Sequence, residues 1–308
     1  MILFVSGRCD IPAFYSKWFY NRLKEGFVDV RNPFNPHQIS RIYLNEQNID
    51  CILFCTKNPI PMMSRLDEIP FPYIFHVTFT PYHQDIECNI TNKKAILKAI
   101  KELSYRLGKD RVIVRYDPIL LTPKYTIEYH KKAFEKLCME LNGYVNHIII
   151  SFVDLYKNTK ENQSTMQMLK LEEKEMIEIA KVLGPIAKQN DIRVTTCAEN
   201  IDLRTYNIEK GLCVDRKELE KIVHHSLDHI KGKGVRAQCA CMQTVDIGDY
   251  NCCAHGCKYC YANYNSSLIQ DRMKLHDSNS SVLLGHIGKE DHIVIREEKR
   301  IRQISFLE

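Results

Sequence analysis

The sequence predicts an α/β fold: a (βα) barrel, complete or partial and TIM-like, with a cysteine-rich loop near its C-terminus. Two observations support this. Short apolar, β-branched segments alternate with amphipathic segments, and polar residues concentrate just after the apolar ones. Alternating strands and helices favour a parallel sheet covered by helices, and seven strands suit a barrel. The 308 residues, 44% of them hydrophobic, are enough for one large domain.

Seven segments have the composition of buried strands, because they are short, apolar and rich in Ile, Val, Phe and Tyr. They span residues 2–6, 51–55, 73–80, 111–116, 147–152, 192–196 and 235–238, and a last, separate strand is predicted at 293–296.

Five longer segments between the strands have helical periodicity. They span residues 12–25, 92–107, 126–141, 172–188 and 217–230. In the second of them, Ile96, Ile100, Leu103 and Leu107 recur at helical spacing, which predicts that this face lies in the core. The predicted organisation is a barrel body over residues 1–238, with a cysteine-rich segment over 239–308 packed on the same domain.

Composition limits the class of protein. The formal net charge of +5 is dispersed along the chain, so nucleic-acid binding is neither indicated nor excluded. No apolar stretch approaches the roughly 18 residues needed to cross a bilayer, and residues 1–6 read as a strand, not as a signal peptide. The 13 cysteines are odd in number and irregularly spaced, unlike a secreted disulfide framework. We therefore expect a cytoplasmic protein with no membrane partner.

The most informative motif is CAHGCKYC at residues 253–260, which brings Cys253, Cys257 and Cys260 into one short loop. Cysteine thiolates are the usual ligands of iron–sulfur clusters. A cluster held by three of them keeps one iron open for a small molecule, and this points to an enzyme. A zinc site remains an alternative, because Cys239 and Cys241 with Cys257 and Cys260 also supply four thiolates.

Further polar residues follow the predicted strands, where the loops of a barrel converge on its active site. The candidates are Arg8, Asp10, Lys57, Arg115, Asp117 and Glu199. Some have a structural alternative: Asp10 also suits a helix N-cap, and Asp117 begins an Asp-Pro turn dipeptide. Arg8 and Arg115 each need an anionic partner, which is either an aspartate of the chain or a ligand carboxylate or phosphate.

Six segments carry a resemblance to a known family. The sequence resembles the bacterial domain of unknown function 1848 family at residues 10–15, 31–36, 56–59, 115–118, 151–154 and 246–263. Members carry a C-terminal cysteine cluster similar to the one that radical S-adenosylmethionine (SAM) enzymes have near the N-terminus. The resemblance implies a cluster at Cys253, Cys257 and Cys260, and a barrel whose cluster loop is displaced to the end of the chain.

The leading hypothesis is a radical SAM-like enzyme with a 4Fe-4S cluster and SAM as cofactors. Tyr259 would pack beside the cluster, Asn263 would support its loop, and Glu199 is a further cofactor-binding candidate. Arg8, Lys57 or Arg115 would hold carboxylate groups of SAM or substrate. The substrate is an unknown small molecule or nucleotide, and a flavodoxin or ferredoxin would supply electrons.

Two other classes of function remain open at this point. One is an electron-transfer or sensing protein whose cluster is closed by a fourth cysteine, Cys239 or Cys241. The other is a zinc-stabilised barrel. Whether Cys252 ligates a metal is likewise open.

Overall fold

A computed structural model describes residues 1–230, 232 and 239–296 of the chain. Its strands are β1 (Ile2–Val5), β2 (Phe27–Asn32), β3 (Asn35–Tyr43), β4 (Cys51–Thr56), β5 (Tyr73–Thr78), β6 (Val112–Ile119), β7 (His147–Phe152), β8 (Arg193–Cys197), β9 (Ile208–Gly211), β10 (Thr244–Asp246) and β11 (His292–Ile295). Its α-helices are α1 (Ile11–Phe14), α2 (Ser16–Glu25), α3 (Lys93–Leu107), α4 (Ile127–Leu141), α5 (Lys157–Glu161), α6 (Gln163–Met166), α7 (Glu173–Gln189), α8 (Arg216–Val223) and α9 (Ser266–Lys274).

Eight strands form one parallel sheet in the order β10-β1-β4-β5-β6-β7-β8-β9. This confirms the α/β class predicted from the alternation of strands and helices. The end strands are β9 and β10, and no pairing joins them within the described residues. Closure into a barrel, complete or partial, therefore remains a prediction.

Strict alternation along each strand creates the two faces of this sheet. Leu3, Phe54 and Val114 pack with the helices in one large core. Ile2, Leu53 and the other strand residues whose side chains point to the opposite face pack there against α8. This follows from the two-residue period of a strand. Because the strands are parallel, their carboxyl ends all lie at one edge of the sheet.

The predicted elements agree with the structure except at particular points. Six predicted strands correspond to β1 and β4 to β8, whereas 235–238 lies outside the described residues. The predicted helix 12–25 is split at Tyr15, which is non-helical and donates its hydroxyl to the Cys252 carbonyl at 2.5 Å. The predicted helix 217–230 ends at Val223, because His224 adopts the left-handed conformation.

Four strands were not predicted, because β2, which reads FVDVRN, was missed as well as β3, β9 and β10. β9 reads IEKG and β10 reads TVD, too short and too polar to stand out as buried strands. β3 reads NPHQISRIY and is largely polar; it pairs with β2 and with β11 in a separate three-stranded sheet. The C-terminal segment supplies β10 to the main sheet and β11 to this small sheet. Among the described helices, none combines the length and apolar character that a bilayer span needs.

Gly184 shows how closely α7 packs against the chain that leads into β9, and it provides a test of the fold. A Cβ at this position would lie 1.6 Å from the Tyr206 backbone oxygen. Gly184→Ala is expected to lower the free energy of unfolding by about 1–3 kcal/mol through overpacking, although alanine is intrinsically the better helix residue. Urea denaturation measures this. Lys188→Ala, exposed on the same helix, should stay within about 0.5 kcal/mol. Equal midpoints for the two variants would contradict the packing.

Candidate metal centre

The loop that contains Cys253, Cys257 and Cys260 docks on the segment between β5 and α3. Cys257 is bridged antiparallel to Glu87. The Lys258 N–H donates to the Ile86 carbonyl at 3.0 Å, and the Asn89 N–H donates to the His255 carbonyl at 3.0 Å. The loop, named here the cysteine loop (residues 253–260), therefore lies at the carboxyl edge of the sheet.

Gly256 makes this docking possible. Its φ of +66° belongs to the left-handed region, and a Cβ there would lie 3.1 Å from both the Asn89 amide nitrogen and the Cys88 Cβ. A glycine between the first two cysteines lets the loop turn sharply while it lies directly on the neighbouring segment.

Side chains from α5 and from the chain just after the loop hold it from the other side. Asn158 donates to the carbonyls of Cys260 at 2.9 Å and Asn263 at 2.8 Å. Thr159 donates to the Tyr259 carbonyl at 3.2 Å. The Asn263 amide nitrogen donates to the Cys253 carbonyl at 2.7 Å. These contacts fix the backbone at each end of the motif, so the loop is preorganised.

The three cysteine thiols are neighbours, with Cys253 and Cys257 buried and Cys260 partly buried. Burial raises the pKa of Cys253 well above its usual value, and the charges of Asp10, Cys260 and Cys257 raise it further. Burial also raises the pKa of Cys257, partly offset by Lys57. Burial raises the pKa of Cys260 as well. Without a metal these thiols therefore stay protonated. A thiol that coordinates a metal ion loses its proton, because the positive charge of the metal stabilises the thiolate.

Hydrogen-bond donors nevertheless face two of the three sulfurs, as a thiolate requires. The backbone N–H of His255 faces Cys253, and those of Ala262 and Asn263 face Cys260. The Tyr259 side chain lies beside Cys257, but its hydroxyl proton is donated to Glu87. Such donors stabilise metal-bound thiolates and tune the reduction potential of iron–sulfur clusters.

One buried acceptor beside the loop has no partner among the described residues. The Asn263 Oδ1 atom is fully buried and accepts no hydrogen bond there. Its amide cannot be reversed, because the Nδ2 atom already donates to the Cys253 carbonyl. A buried polar atom without a partner costs about 1–3 kcal/mol, so this oxygen is suited to receive an N–H donor from a ligand.

The spacing of the loop thiols bears on which metal group fits. Within the described residues no hydrogen bond joins these three thiols, and no group of three or more His, Cys, Asp or Glu side chains has a geometry that could hold a metal ion. One tetrahedral ion with bonds of about 2.3 Å needs sulfurs about 3.8 Å apart. In a four-iron cluster each thiolate binds a different iron, so the sulfurs stand farther apart. As placed in the described part of the chain, the three thiols therefore form no ready-made site for a single ion.

Glu87 is the central charged residue of the site, and the sequence prediction missed it. Its buried carboxylate accepts from Lys57 at 2.7 Å, Lys93 at 2.6 Å and Thr80 at 2.5 Å, and also from the Tyr259 hydroxyl. Burial raises its pKa, but Lys57 and Lys93 outweigh burial and lower the pKa to about 2. No motif signals this residue: it is an isolated glutamate between β5 and α3.

Lys57 is charged although it is buried. Burial lowers its pKa, but the charges of Glu87 and Cys257 outweigh burial and raise it above the usual value. Its ammonium lies 5.6 Å from the centre of the Tyr259 ring. The site therefore contains a fixed positive charge next to Cys257.

Asp10 joins the cysteine loop to the ends of β1 and β4. It caps α1 by accepting from the Ala13 N–H at 3.0 Å, the structural role that its sequence suggested. It also accepts from the Thr56 hydroxyl at 2.6 Å and the Lys57 N–H at 2.7 Å, and it contacts the His255 ring at 2.7 Å. His255, inside the motif, is thereby oriented by a buried carboxylate.

The two arginines have partners within the chain. The Arg8 Nε atom lies 3.1 Å from Asp246, an aspartate that the sequence argument did not consider. Arg115 pairs with Asp117, which also accepts from the Ser151 hydroxyl at 3.4 Å. These pairs lie where strands β1 and β6 reach the carboxyl edge, as predicted.

Glu199 lies after β8 and accepts from the Phe152 N–H at 2.9 Å, so it links the ends of β7 and β8. This contact connects it to the carboxyl edge of the sheet. Its role as a cofactor-binding residue stays a prediction.

The remaining cysteines of the C-terminal segment point away from the cysteine loop. Cys252 donates to the Asp249 carbonyl at 3.1 Å, and its thiol hydrogen-bonds with that of Cys9. The Cys241 sulfur lies 3.3 Å from that of Cys213, and Cys239 contacts Cys213 as well. The cysteines considered as possible fourth ligands therefore belong to other groups.

Comparison with known proteins agrees with the family resemblance and extends no further. The model of a family described as "Domain of unknown function (DUF1848)" matches residues 2–262, which include all three cysteines of the loop. A comparison with curated proteins found no match.

Proposed function

For this chain, which belongs to the family described as Domain of unknown function (DUF1848), we propose the function of a radical SAM-like iron–sulfur enzyme. The observation that carries the proposal is the cysteine loop, with three buried or partly buried thiols, backbone donors facing Cys253 and Cys260, and a preorganised backbone. A 4Fe-4S cluster held by Cys253, Cys257 and Cys260 would leave one iron for SAM, whose reductive cleavage supplies a 5′-deoxyadenosyl radical that abstracts substrate hydrogen.

Asn263 has two parts in this proposal. Its amide nitrogen holds the Cys253 carbonyl, and its unpartnered Oδ1 offers an acceptor to the amino group of SAM. Tyr259 covers the loop from the core side, where it is buried and joined to Glu87. Both residues therefore position the cofactors and exclude water.

The charged residues supply orientation and electrostatics. Lys57, kept protonated by Glu87, offsets the negative charge of thiolates and attracts a carboxylate of SAM or substrate. Asp10 holds His255 and with it the first turn of the loop. Arg8, Arg115 and Asp117 lie at the same strand edge, where loops of (βα) barrels bind their substrates.

A closed cluster for electron transfer or sensing is less well supported. It needs a fourth protein thiolate, and the expected donors Cys239 and Cys241 contact Cys213 instead. The same contacts argue against a zinc site that combines Cys239 and Cys241 with Cys257 and Cys260.

The test is electron paramagnetic resonance of the full chain after anaerobic reconstitution with iron and sulfide and reduction. We expect a reduced four-iron signal that shifts when SAM is added, followed by release of 5′-deoxyadenosine. S-Adenosylhomocysteine is the matched control: it lacks the sulfonium and should yield no 5′-deoxyadenosine. A signal that SAM leaves unchanged would contradict the proposal.

A further inference from the structure

A second group of cysteines lies on the face of the sheet that packs against α8. It consists of Cys197 at the end of β8, Cys213 just after β9, and Cys239 and Cys241 in the segment before β10. We call these residues the four-cysteine group. They are separated by up to 44 positions in the chain, and only the fold brings them together.

Contacts within the four-cysteine group are nearly complete. The Cys213 thiol hydrogen-bonds with the thiols of Cys197, Cys239 and Cys241. Cys241 in turn hydrogen-bonds with Cys197 and Cys239, and the two sulfurs of Cys213 and Cys241 are 3.3 Å apart. These contacts gather the four sulfurs into one compact group on this face of the sheet.

Mutual thiol contacts do not by themselves explain this arrangement. A thiol is a weak donor and a weak acceptor, so such contacts stabilise the fold little. Four sulfurs arranged tetrahedrally are instead the donor set that zinc prefers in structural sites. The thiols of the cysteine loop differ, since no hydrogen bond joins them to one another in the described part of the chain.

We propose that the four-cysteine group binds one structural Zn²⁺ ion, separately from the cysteine loop. Tetrahedral bonds of about 2.3 Å place the sulfurs about 3.8 Å apart, so Cys213 and Cys241 need to separate by only about half an ångström. That adjustment is still required, because no group among the described residues already has the geometry of a metal-ion site. On binding, Zn²⁺ would take the place of the protons on those thiols of the group that are still protonated, and these protons are released to solvent.

The surroundings of the four-cysteine group suit such a centre. Zinc with four thiolates carries a net charge of −2, and the Arg115 guanidinium interacts with both Cys197 and Cys213. The group is packed among apolar residues on this face, including Val214 and Met242. Charge compensation inside an apolar shell is what a buried anionic zinc centre needs.

The position of the four-cysteine group suggests what the ion does. Cys213 follows β9, whereas Cys239 and Cys241 lead into β10, and these are the two end strands of the sheet. The Met242 N–H donates to the Val214 carbonyl at 3.1 Å, so the two segments already touch. One zinc ion would cross-link them and hold the two ends of the sheet together.

The experiment loads full-length protein, purified anaerobically, with Zn²⁺ alone and, separately, with Co²⁺ alone. We expect about one zinc per chain by mass spectrometry of the metal, and intense visible bands of tetrahedral, thiolate-bound Co²⁺. Cys213→Ser should retain less than about a tenth of that zinc. Cys51→Ser, a buried cysteine of the same face, should bind zinc like the unsubstituted chain, and so should Cys257→Ser.

The iron signal and the zinc content, measured in the same variants, distinguish failure of this zinc proposal from failure of the proposed iron–sulfur function. After reconstitution, Cys213→Ser should keep the iron signal and lose zinc, whereas Cys257→Ser should lose the iron signal and keep zinc. Zinc retained by Cys213→Ser, a Co²⁺ spectrum of octahedral type, or a Cys213–Cys241 disulfide in the zinc-loaded protein would each overturn the proposal. If Cys213→Ser is insoluble, protection of Cys213 from alkylation by Zn²⁺ in the unsubstituted chain decides the question.

Discussion

Replacing Cys257 by alanine is expected to remove the four-iron cluster and to abolish SAM cleavage. Cys257 is the central cysteine of the loop in sequence, and its thiol interacts electrostatically with Lys57 and Cys260. With two thiolates left, the cluster has lost one protein ligand. We expect iron to fall from about four to below about one per chain, and 5′-deoxyadenosine release to fall by at least about 100-fold. Iron analysis, electron paramagnetic resonance and product chromatography measure these changes.

Cys252→Ala is the matched control for this prediction. Cys252 directly precedes Cys253 and is equally buried, but its thiol is directed to Asp249 and Cys9. This variant should retain its iron and its response to SAM. Loss of the cluster in both variants would mean that the whole segment had unfolded, and full iron content in Cys257→Ala would refute the assigned ligand set.

Glu87→Gln is expected to produce the largest loss of stability among single changes at the site. The carboxylate is 1% exposed and neutralises two lysines. Glutamine keeps the shape but leaves Lys57 and Lys93 without a counter-charge in a buried position. Removing one partner of a buried ion pair costs about 3–5 kcal/mol, and urea denaturation of the apoprotein measures the difference.

The acid dependence of stability gives an independent measurement on the same residue. The folded pKa of Glu87, about 2, lies below the unfolded value of about 4.3. Its contribution is therefore present above pH 4.3 and is lost as the pH falls towards 2. In Glu87→Gln this part of the acid dependence should disappear.

Glu140→Gln serves as the control for Glu87→Gln, since Glu140 pairs with Lys101 at the surface, and water screens such an exposed pair so that its loss should change stability far less. The combined variant Glu87→Gln with Lys57→Met should recover part of the lost stability, because one unpaired charge is removed. Equal effects of Glu87→Gln and Glu140→Gln would contradict the central role of Glu87.

Local sequence signals predicted a large part of this architecture. Buried strands such as His147–Phe152 are fully apolar on both sides of their pleat apart from His147 and Ser151, and a pattern of that kind is visible without any tertiary information. Short or polar strands such as β9 and β10 carry no such pattern, because they are stabilised by neighbours that the sequence does not identify.

The candidate site divides in the same way. The CAHGCKYC motif identifies its three cysteines by spacing alone, because all ligands lie within one loop. Lys57 was singled out as a charged residue after a strand, but its partner Glu87 was not, since the two lie 30 positions apart. Arg8 likewise finds Asp246 across 238 positions.

Periodicity and motif spacing thus determined the α/β class, the main strands and the three cysteines of the loop, because each of these depends on residues close together in the chain. Tertiary structure alone decided which charges pair and how the 13 cysteines are divided. Cys239 and Cys241 illustrate the reason. In sequence they are close to the cysteine loop, but in the fold they contact Cys213 and, for Cys241, Cys197. Contacts between distant segments depend on which loops lie next to each other in the folded sheet, and local sequence patterns do not predict this.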